Sequence, residues 1–451
     1  MANAKTKQPS MLEGAPWRSI LVFAIPIFFG SILQQLYHTV DTMMVGRLIS
    51  QSALSSVGTC GVLTNLCLAF STGFSVGTGV ISGQLYGAGR QEDLRKNAYA
   101  SIRFLMMLGL GICLLGFVLR RPLLQYIVSV PAELLEGSVT YFGIIVFGFL
   151  FQFIYNAAAA LLRSVGDSKA SLYFLTISSV TNIILDYVFL AWFDWGIAGA
   201  AWATVASQAA ACLASYVYMQ KKYDFFRFAG HSIKVTAEDY RLLLKTGFPI
   251  ALQSMIGNVF NLMVQRLVNS FGAAMTASYT VVGRFEGYMH LPTNTINQAL
   301  ATYTAQNIGA DRPERVQKGL AHALVMTVSV TGTLALLAYI FAPQIAAFFG
   351  IDGTSAAYCM THIRTMTFGF LLFSAYFPCM GLYQGAGKGM VTTKISTAFL
   401  AVCLTIAYGL QYIPAIGYRS IFICKPLAWL IIAPCNYIYF FKGKWKEGKL
   451  V

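Results

Sequence analysis

Charge is what this sequence has least of. Of its 451 residues only 11% are Asp, Glu, Lys or Arg, against about 25% in an ordinary soluble domain, and that excludes a chain kept in water by its surface charge. Acid is scarcer still, with 17 Asp and Glu against 32 Lys and Arg. Each carboxylate inside an apolar stretch therefore needs a reason. The nine cysteines form no C-x-x-C pair, so neither a disulfide framework nor a zinc site is indicated, and they read as small packing residues. No G-x-x-x-x-G-K-[ST] occurs. GAGR (87–90), VGDSK (165–169) and GAGKG (385–389) each end an apolar segment and do not fit a phosphate loop, which leaves nucleotide-driven work without support.

Apolar length is abundant. Hydrophobic residues make up 57% of the chain, gathered into about twelve stretches of roughly 20 to 30 residues, each long enough to cross about 30 Å of hydrocarbon. They lie near 18–46, 53–84, 97–119, 134–163, 170–192, 196–219, 240–270, 276–306, 316–342, 355–385, 391–413 and 417–441. The expected fold class is an all-α integral membrane protein of about twelve transmembrane helices. The opening MANAKTKQPS is short, polar and basic, and the run after it is too long for a signal peptide, so the first helix is expected to be retained.

The net charge of +15 would suit nucleic acid if it were clustered, but it follows the predicted loops instead. With the N-terminus inside, Lys5, Lys7, Arg90, Lys96, Lys221, Lys222, Arg312, Lys388 and Lys449 all fall on one side. By the positive-inside rule both termini are expected in the cytoplasm, and no nucleic-acid partner is expected.

The chain repeats itself. FAIPIFFGSI (23–32) and TGFPIALQSM (246–255) place Pro-Ile at the same point of a helix. In GQLYGAGRQEDLRKN (83–97) and AQNIGADRPERVQKG (305–319), Gln84, Gly87, Arg90 and Lys96 match Gln306, Gly309, Arg312 and Lys318. The halves are parallel copies, because each holds an even number of crossings, and a substrate site is expected between them. The predicted organisation is an N-terminal six-helix lobe over 1–219, a basic cytoplasmic linker over 220–239 and a C-terminal six-helix lobe over 240–451, V-shaped around a central cavity. Such duplication suits a carrier that alternates between two openings.

VDTMMVGRL (40–48), GQLYGAGR (83–90), LLRSVGDSK (161–169), NIILDYVF (182–189) and GIAGAAWAT (196–204) together resemble the multidrug and toxic compound extrusion (MATE) family, over essentially the whole chain. The resemblance implies a secondary-active antiporter of the prokaryotic plasma membrane, exporting amphipathic, often cationic, organic compounds in exchange for protons or sodium ions. It implies no enzyme activity and no cofactor beyond the coupling ion, and the chain is expected to act as a monomer. One branch of that family carries acids in the seventh and tenth helices. Here PIALQSMIGNVFNLMVQ (249–265) and MTFGFLLFSAYFPCMG (366–381) carry none. The chain is similar instead to the DinF-like branch, which implies cation or proton binding at Asp41, Asn182, Asp186 and Thr204, with no metal beyond sodium at those four residues.

Helical geometry supports that set. Asn182 and Asp186 are one turn apart on one face. Counting at 1.5 Å per residue sets Asp186 roughly 24 Å and Asn182 roughly 18 Å above the cytoplasmic end of their helix. Thr204, entering from the other side, comes roughly 12 Å below the outer surface, level with Asn182. A carboxylate placed in a membrane costs roughly 2.5–3.5 kcal/mol and calls for a function. Low dielectric favours its protonated form and a bound cation its ionised form, so one pocket of oxygens can exchange a proton for sodium. The rival account is a structural cluster in which two acids and an amide satisfy one another.

Pro26, about four turns before Asp41, interrupts its helix and is the candidate hinge; by resemblance, protonation of Asp41 would bend the first helix there. Gln34, Tyr37, His38 and Asn156 are candidate substrate contacts in the first half, and Glu286 in the second. Arg284 stands ready to neutralise Glu286, with His290 one turn on, as an ion pair or a second proton relay. GFSVG (73–77) matches a hydrolase pattern, but it lies mid-helix beside GVISG (79–83), where small residues more plausibly serve close helix packing. The nearer alternative to drug efflux is a lipid-linked saccharide flippase of the same superfamily.

Overall fold

The protein is described by a computed structural model covering residues 11–451. The opening ten residues, with Lys5 and Lys7 of the charge argument, lie outside the described residues. The described chain contains no strand. Its helices are α1 (Pro16–Leu48), α2 (Gln51–Gly87), α3 (Gln91–Pro122), α4 (Ala132–Ser164), α5 (Ser168–Tyr187), α6 (Gly196–Lys222) and α7 (Ala237–Ser270), then α8 (Ala273–Gly309), α9 (Pro313–Ile340), α10 (Ala342–Phe348), α11 (Gly353–Gly385), α12 (Gly389–Leu410) and α13 (Arg419–Phe441). Eleven of them are long and apolar enough to cross a membrane. The remaining long helix, α8, carries Arg284, Glu286 and His290 within it. This is a multi-pass membrane protein.

Each expected segment appears as a helix. The largest extension is at α3, which starts at Gln91 rather than 97 and continues through a π-helical turn, Leu123–Ile127. The short α10 falls in a stretch without a predicted element. At 7 residues it is too short to span a membrane and carries no usable periodicity.

Local chemistry sets the helix ends. The Ser50 hydroxyl caps α2 by accepting from the Ala53 N–H at 3.1 Å, and the Asp167 carboxylate caps α5 through the Ala170 N–H at 3.3 Å, satisfying donors that a first turn leaves orphaned. Between α2 and α3 the chain reverses at Gly89, φ +71°, a conformation natural to glycine. At the matching place between α8 and α9 stands Asp311, and it adopts φ 55°. The repeat preserves the backbone conformation where the residue has changed, and Asp is among the few side chains that tolerate it.

The chain forms two compact units, Ile25–Ala251 and Leu252–Val451, the second also taking the stretch that ends at Ala24. These limits differ from the linker at 220–239, and close packing explains why. In the first unit the start of α7 lies against α2 so tightly that a Cβ on Gly77 would meet the Gly247 backbone at 2.8 Å, and one on Gly73 would strike the backbone of Ala251. The Lys96 ammonium meets Asp239 at 2.9 Å there. In the second unit the chain before α1 is held by the α8–α9 corner: Asn307 Nδ2 donates to the Met11 carbonyl at 3.1 Å, Arg312 to that of Leu12 at 2.9 Å and Arg315 to that of Gly14 at 3.1 Å. The two helices that share the repeated Pro-Ile, α1 and α7, therefore begin in one unit and end in the other.

Each unit packs around one central helix, α4 in the first and α11 in the second, and these two are the most buried of the eleven long apolar helices. The run Ala157–Leu162 of α4 is almost wholly enclosed. Small side chains at that point let α2 and α6 approach closely.

Candidate functional site

Four helices of the first unit bring polar groups to one place. α1 contributes Tyr37 and Asp41, α4 contributes Tyr141, α5 contributes Asn182 and Asp186, and α6 contributes Thr204. Asn182 and Asp186 are fully buried, Thr204 is buried, and Asp41 and Tyr37 are half-buried. The four residues predicted as the ion site thus lie together.

The hydrogen bonding is specific. Asn182 satisfies its surroundings when its amide nitrogen donates to Asp186 Oδ2 at 2.8 Å and its carbonyl accepts from the Thr204 N–H at 3.3 Å. The opposite amide orientation would leave only a 3.5 Å contact to Thr204 Oγ1, so the network decides the assignment. The Thr204 hydroxyl donates to the Ala200 carbonyl at 3.0 Å, which leaves its lone pairs for Tyr37, whose hydroxyl is in reach. Asp41 and Asp186 lie within side-chain hydrogen-bonding range of each other, and the charges of both act on Tyr37 and Tyr141.

Asp186 Oδ1 is buried with no donor aimed at it. Two ionised carboxylates cannot hydrogen-bond, and a buried carboxylate oxygen facing a second acid calls for a proton or another cation between them. A small apolar cluster adjoins this layer. Val45, Leu190 and Ala200 pack with Ala53 as a buried cluster, and they stand one turn beyond Asp41, Asp186 and Thr204 on their own segments.

The candidate substrate contacts are more dispersed. Tyr37 belongs to the ion layer itself. His38 is exposed, with its ring 4.8 Å from that of Tyr37, and Gln34 is exposed one turn earlier on the same face of α1. Asn156, half-buried on α4, donates to Ser71 Oγ at 2.8 Å and accepts from Gln152 at 3.2 Å. Pro26 is buried within α1, two residues after the point where that helix passes from one unit to the other.

Glu286 lies in the second unit, apart from these residues. Its expected partner Arg284 is exposed, because side chains two apart on a helix point in different directions. The carboxylate instead holds Lys425 of α13, with Nζ 2.5 Å from Oε2. Ser75 of the G-x-S-x-G match is buried without a hydrogen-bond partner, and its flanking glycines carry the close approach of α7.

Sequence reasoning passed over Tyr141 and Lys425. Tyr141 is one of 24 tyrosines, and nothing in its own helix singles it out. Lys425 does carry a signal, being a lone lysine within an apolar helix, but its partner stands 139 residues away.

The MatE family model matches the chain twice, over residues 26–188 and 249–413, so each match opens on a helix proline, Pro26 or Pro249. The probable multidrug resistance protein YoeA of Bacillus subtilis is 26% identical, over 100% of this chain and 97% of its own length. The probable multidrug resistance protein YpnP of the same organism is 25% identical over 97% and 98%. The fold is that of a multidrug resistance MATE family transporter of the MOP superfamily solved in an outward-facing conformation, with a TM-score of 0.91 over 99% of both chains at 20% identity. Two successive matches in one chain are also what an internal duplication requires, and together they span well over half of it: the chain belongs to the MatE family.

Proposed function

We propose that this protein is a secondary-active exporter of amphipathic organic cations, driven by protons that enter at Asp41 and Asp186. The observation that carries the proposal is the buried, donor-less Oδ1 of Asp186 beside the Asp41 carboxyl. A proton between the two acids turns repulsion into a hydrogen bond. Its loss restores two like charges in a low-dielectric layer, which must then separate or recruit another cation. Asn182 keeps Asp186 in place through either state.

The pair spans α1 and α5, so its state bears directly on the position of α1 against the rest of the first unit. Pro26 lies beside the crossing of α1 between the units, and a missing backbone donor there makes that point the softest in the helix. A proton at Asp41 would be read as a change in the bend at Pro26. Gln34 and His38, on the exposed face of the same helix, are the contacts that such a bend would move. Multidrug resistance is what the names of the two Bacillus subtilis relatives state, and it supports organic cations as cargo. Both termini are assigned to the cytoplasm of a bacterial plasma membrane by the loop charges, and the working unit is assigned as a monomer.

Proteoliposomes loaded with a lipophilic monocation such as ethidium and given an imposed pH gradient should expel the dye. Asp41→Asn should abolish that response while the protein remains monodisperse and folded. Parental export by Asp41→Asn would end the proposal, and export that follows an imposed sodium gradient in place of the pH gradient would reassign the coupling ion.

A further inference from the structure

The second unit holds a buried charged cluster that the coupling site does not use. Glu286 and Lys425 are 9% and 17% exposed at their side chains, on α8 and α13. Close enough for their charge to act on the Glu286 carboxylate are His290, one turn along α8, and His362 on α11. Three atoms here are buried without a hydrogen-bond partner: Glu286 Oε1, His290 Nδ1 and His362 Nδ1. A fixed strut would be expected to fill such positions, since buried polar atoms are nearly always satisfied.

The surroundings limit what can fill them. The His362 ring stacks on Phe422 at 4.4 Å and on Tyr279 at 5.9 Å, while His290 lies 4.3 Å from Phe373. Tyr279 also feels both charges of the pair. From α12 only Cys403, and from α13 Cys424, come near the same groups. The titratable side chains of α9 lie towards its two ends, at Glu314 to His322 and at Tyr339. The walls are aromatic, and beside the Tyr279 hydroxyl and the thiols of Cys403 and Cys424 the cluster holds one acid, one ammonium and two imidazoles.

We propose that Glu286, Lys425, His290 and His362 form a second proton-binding site, in which a proton taken up by an imidazole gives Glu286 a new counter-charge and frees the Lys425 ammonium. The proton comes from water and binds at a ring nitrogen; no other bond is made or broken. Imidazole is the one side chain whose ordinary titration spans physiological pH, and aromatic faces together with the Tyr279 hydroxyl can hold a released ammonium. The site exchanges one tethered cation for another according to the proton supply. It stands independently of the reading of Asp41, because no residue is shared.

The test counts protons. In proteoliposomes, the pH gradient that balances a fixed ethidium gradient gives the number of protons exchanged per dye molecule. His290→Gln/His362→Gln should lower that number by one relative to the parent, and so should the charge-neutral Glu286→Gln/Lys425→Met. The second variant removes the pair without leaving a lone charge, so at least one of the two should be recoverable as folded protein. An unchanged count in either folded variant would make the cluster a structural ion pair and overturn the proposal. The coupling role of Asp41 would stand or fall separately, on whether Asp41→Asn exports at all.

Discussion

In the first unit two acids, Asp41 and Asp186, lie side by side with an amide and hydroxyls for company; in the second, one acid, Glu286, grips an ammonium at 2.5 Å. Both sites sit among membrane-spanning helices of one duplicated fold. The first leaves the buried Oδ1 of Asp186 without a donor, whereas the second carries its own cation on a side chain. The duplication therefore preserved the backbone, down to the positive φ shared by Gly89 and Asp311, while letting the charges diverge. What is common to the halves is the backbone, and what differs between them is the buried charge.

The largest effect expected from this contrast is on stability. Lys425→Met would leave Glu286 buried without its counter-charge, a loss of about 3–5 kcal/mol. The thermal unfolding midpoint in detergent should fall clearly. Adding Glu286→Gln should recover most of it, because a buried ion pair replaced by neutral groups of similar volume is often no less stable. A double variant as unstable as Lys425→Met alone would show that the pair does more than neutralise itself.

A smaller cost is expected at Asn182. Its amide is the donor that holds Asp186 Oδ2 at 2.8 Å, and Asn182→Ala leaves that oxygen unsatisfied at a cost of about 1–3 kcal/mol. Gradient-driven export should fall with it, since the acid loses its anchor. Unfolding midpoints and ethidium export measured on one preparation would check both, and intact export would remove Asn182 from the site.

The same contrast explains what could be read from the sequence. Apolar length and periodicity reveal helices directly, and the four-residue spacing of Asn182 and Asp186 puts both on one face whatever surrounds them. Depth counted from the helix ends then places Thr204 level with Asn182, so local geometry agrees with the set that the family resemblance implies, and the four residues do lie together. Lys425 was not, because its meaning depends on Glu286 on a remote helix, and local spacing pointed to Arg284, which the helix turns away. The extent of the compact units likewise depends on contacts that composition does not carry. The linker at 220–239 looks like a divide in composition, but the contact of Gly73 and Gly77 with α7 ties the start of that helix to the unit before it.

The smallest stability effect is expected where the functional effect is greatest. Asp186→Asn keeps the shape of the side chain, removes a buried like charge and still offers an oxygen to the Asn182 amide, so stability should shift by less than about 1 kcal/mol. The variant cannot take up and release a proton, and its export under a pH gradient should be lost. A coupling residue and a structural one differ in this respect: the first can be neutralised without harm to the fold, because the fold never depended on its charge. If Asp186→Asn instead unfolds the protein as readily as Lys425→Met, the fold depends on the acids of the first unit as it does on the ion pair of the second, and the contrast between the units collapses.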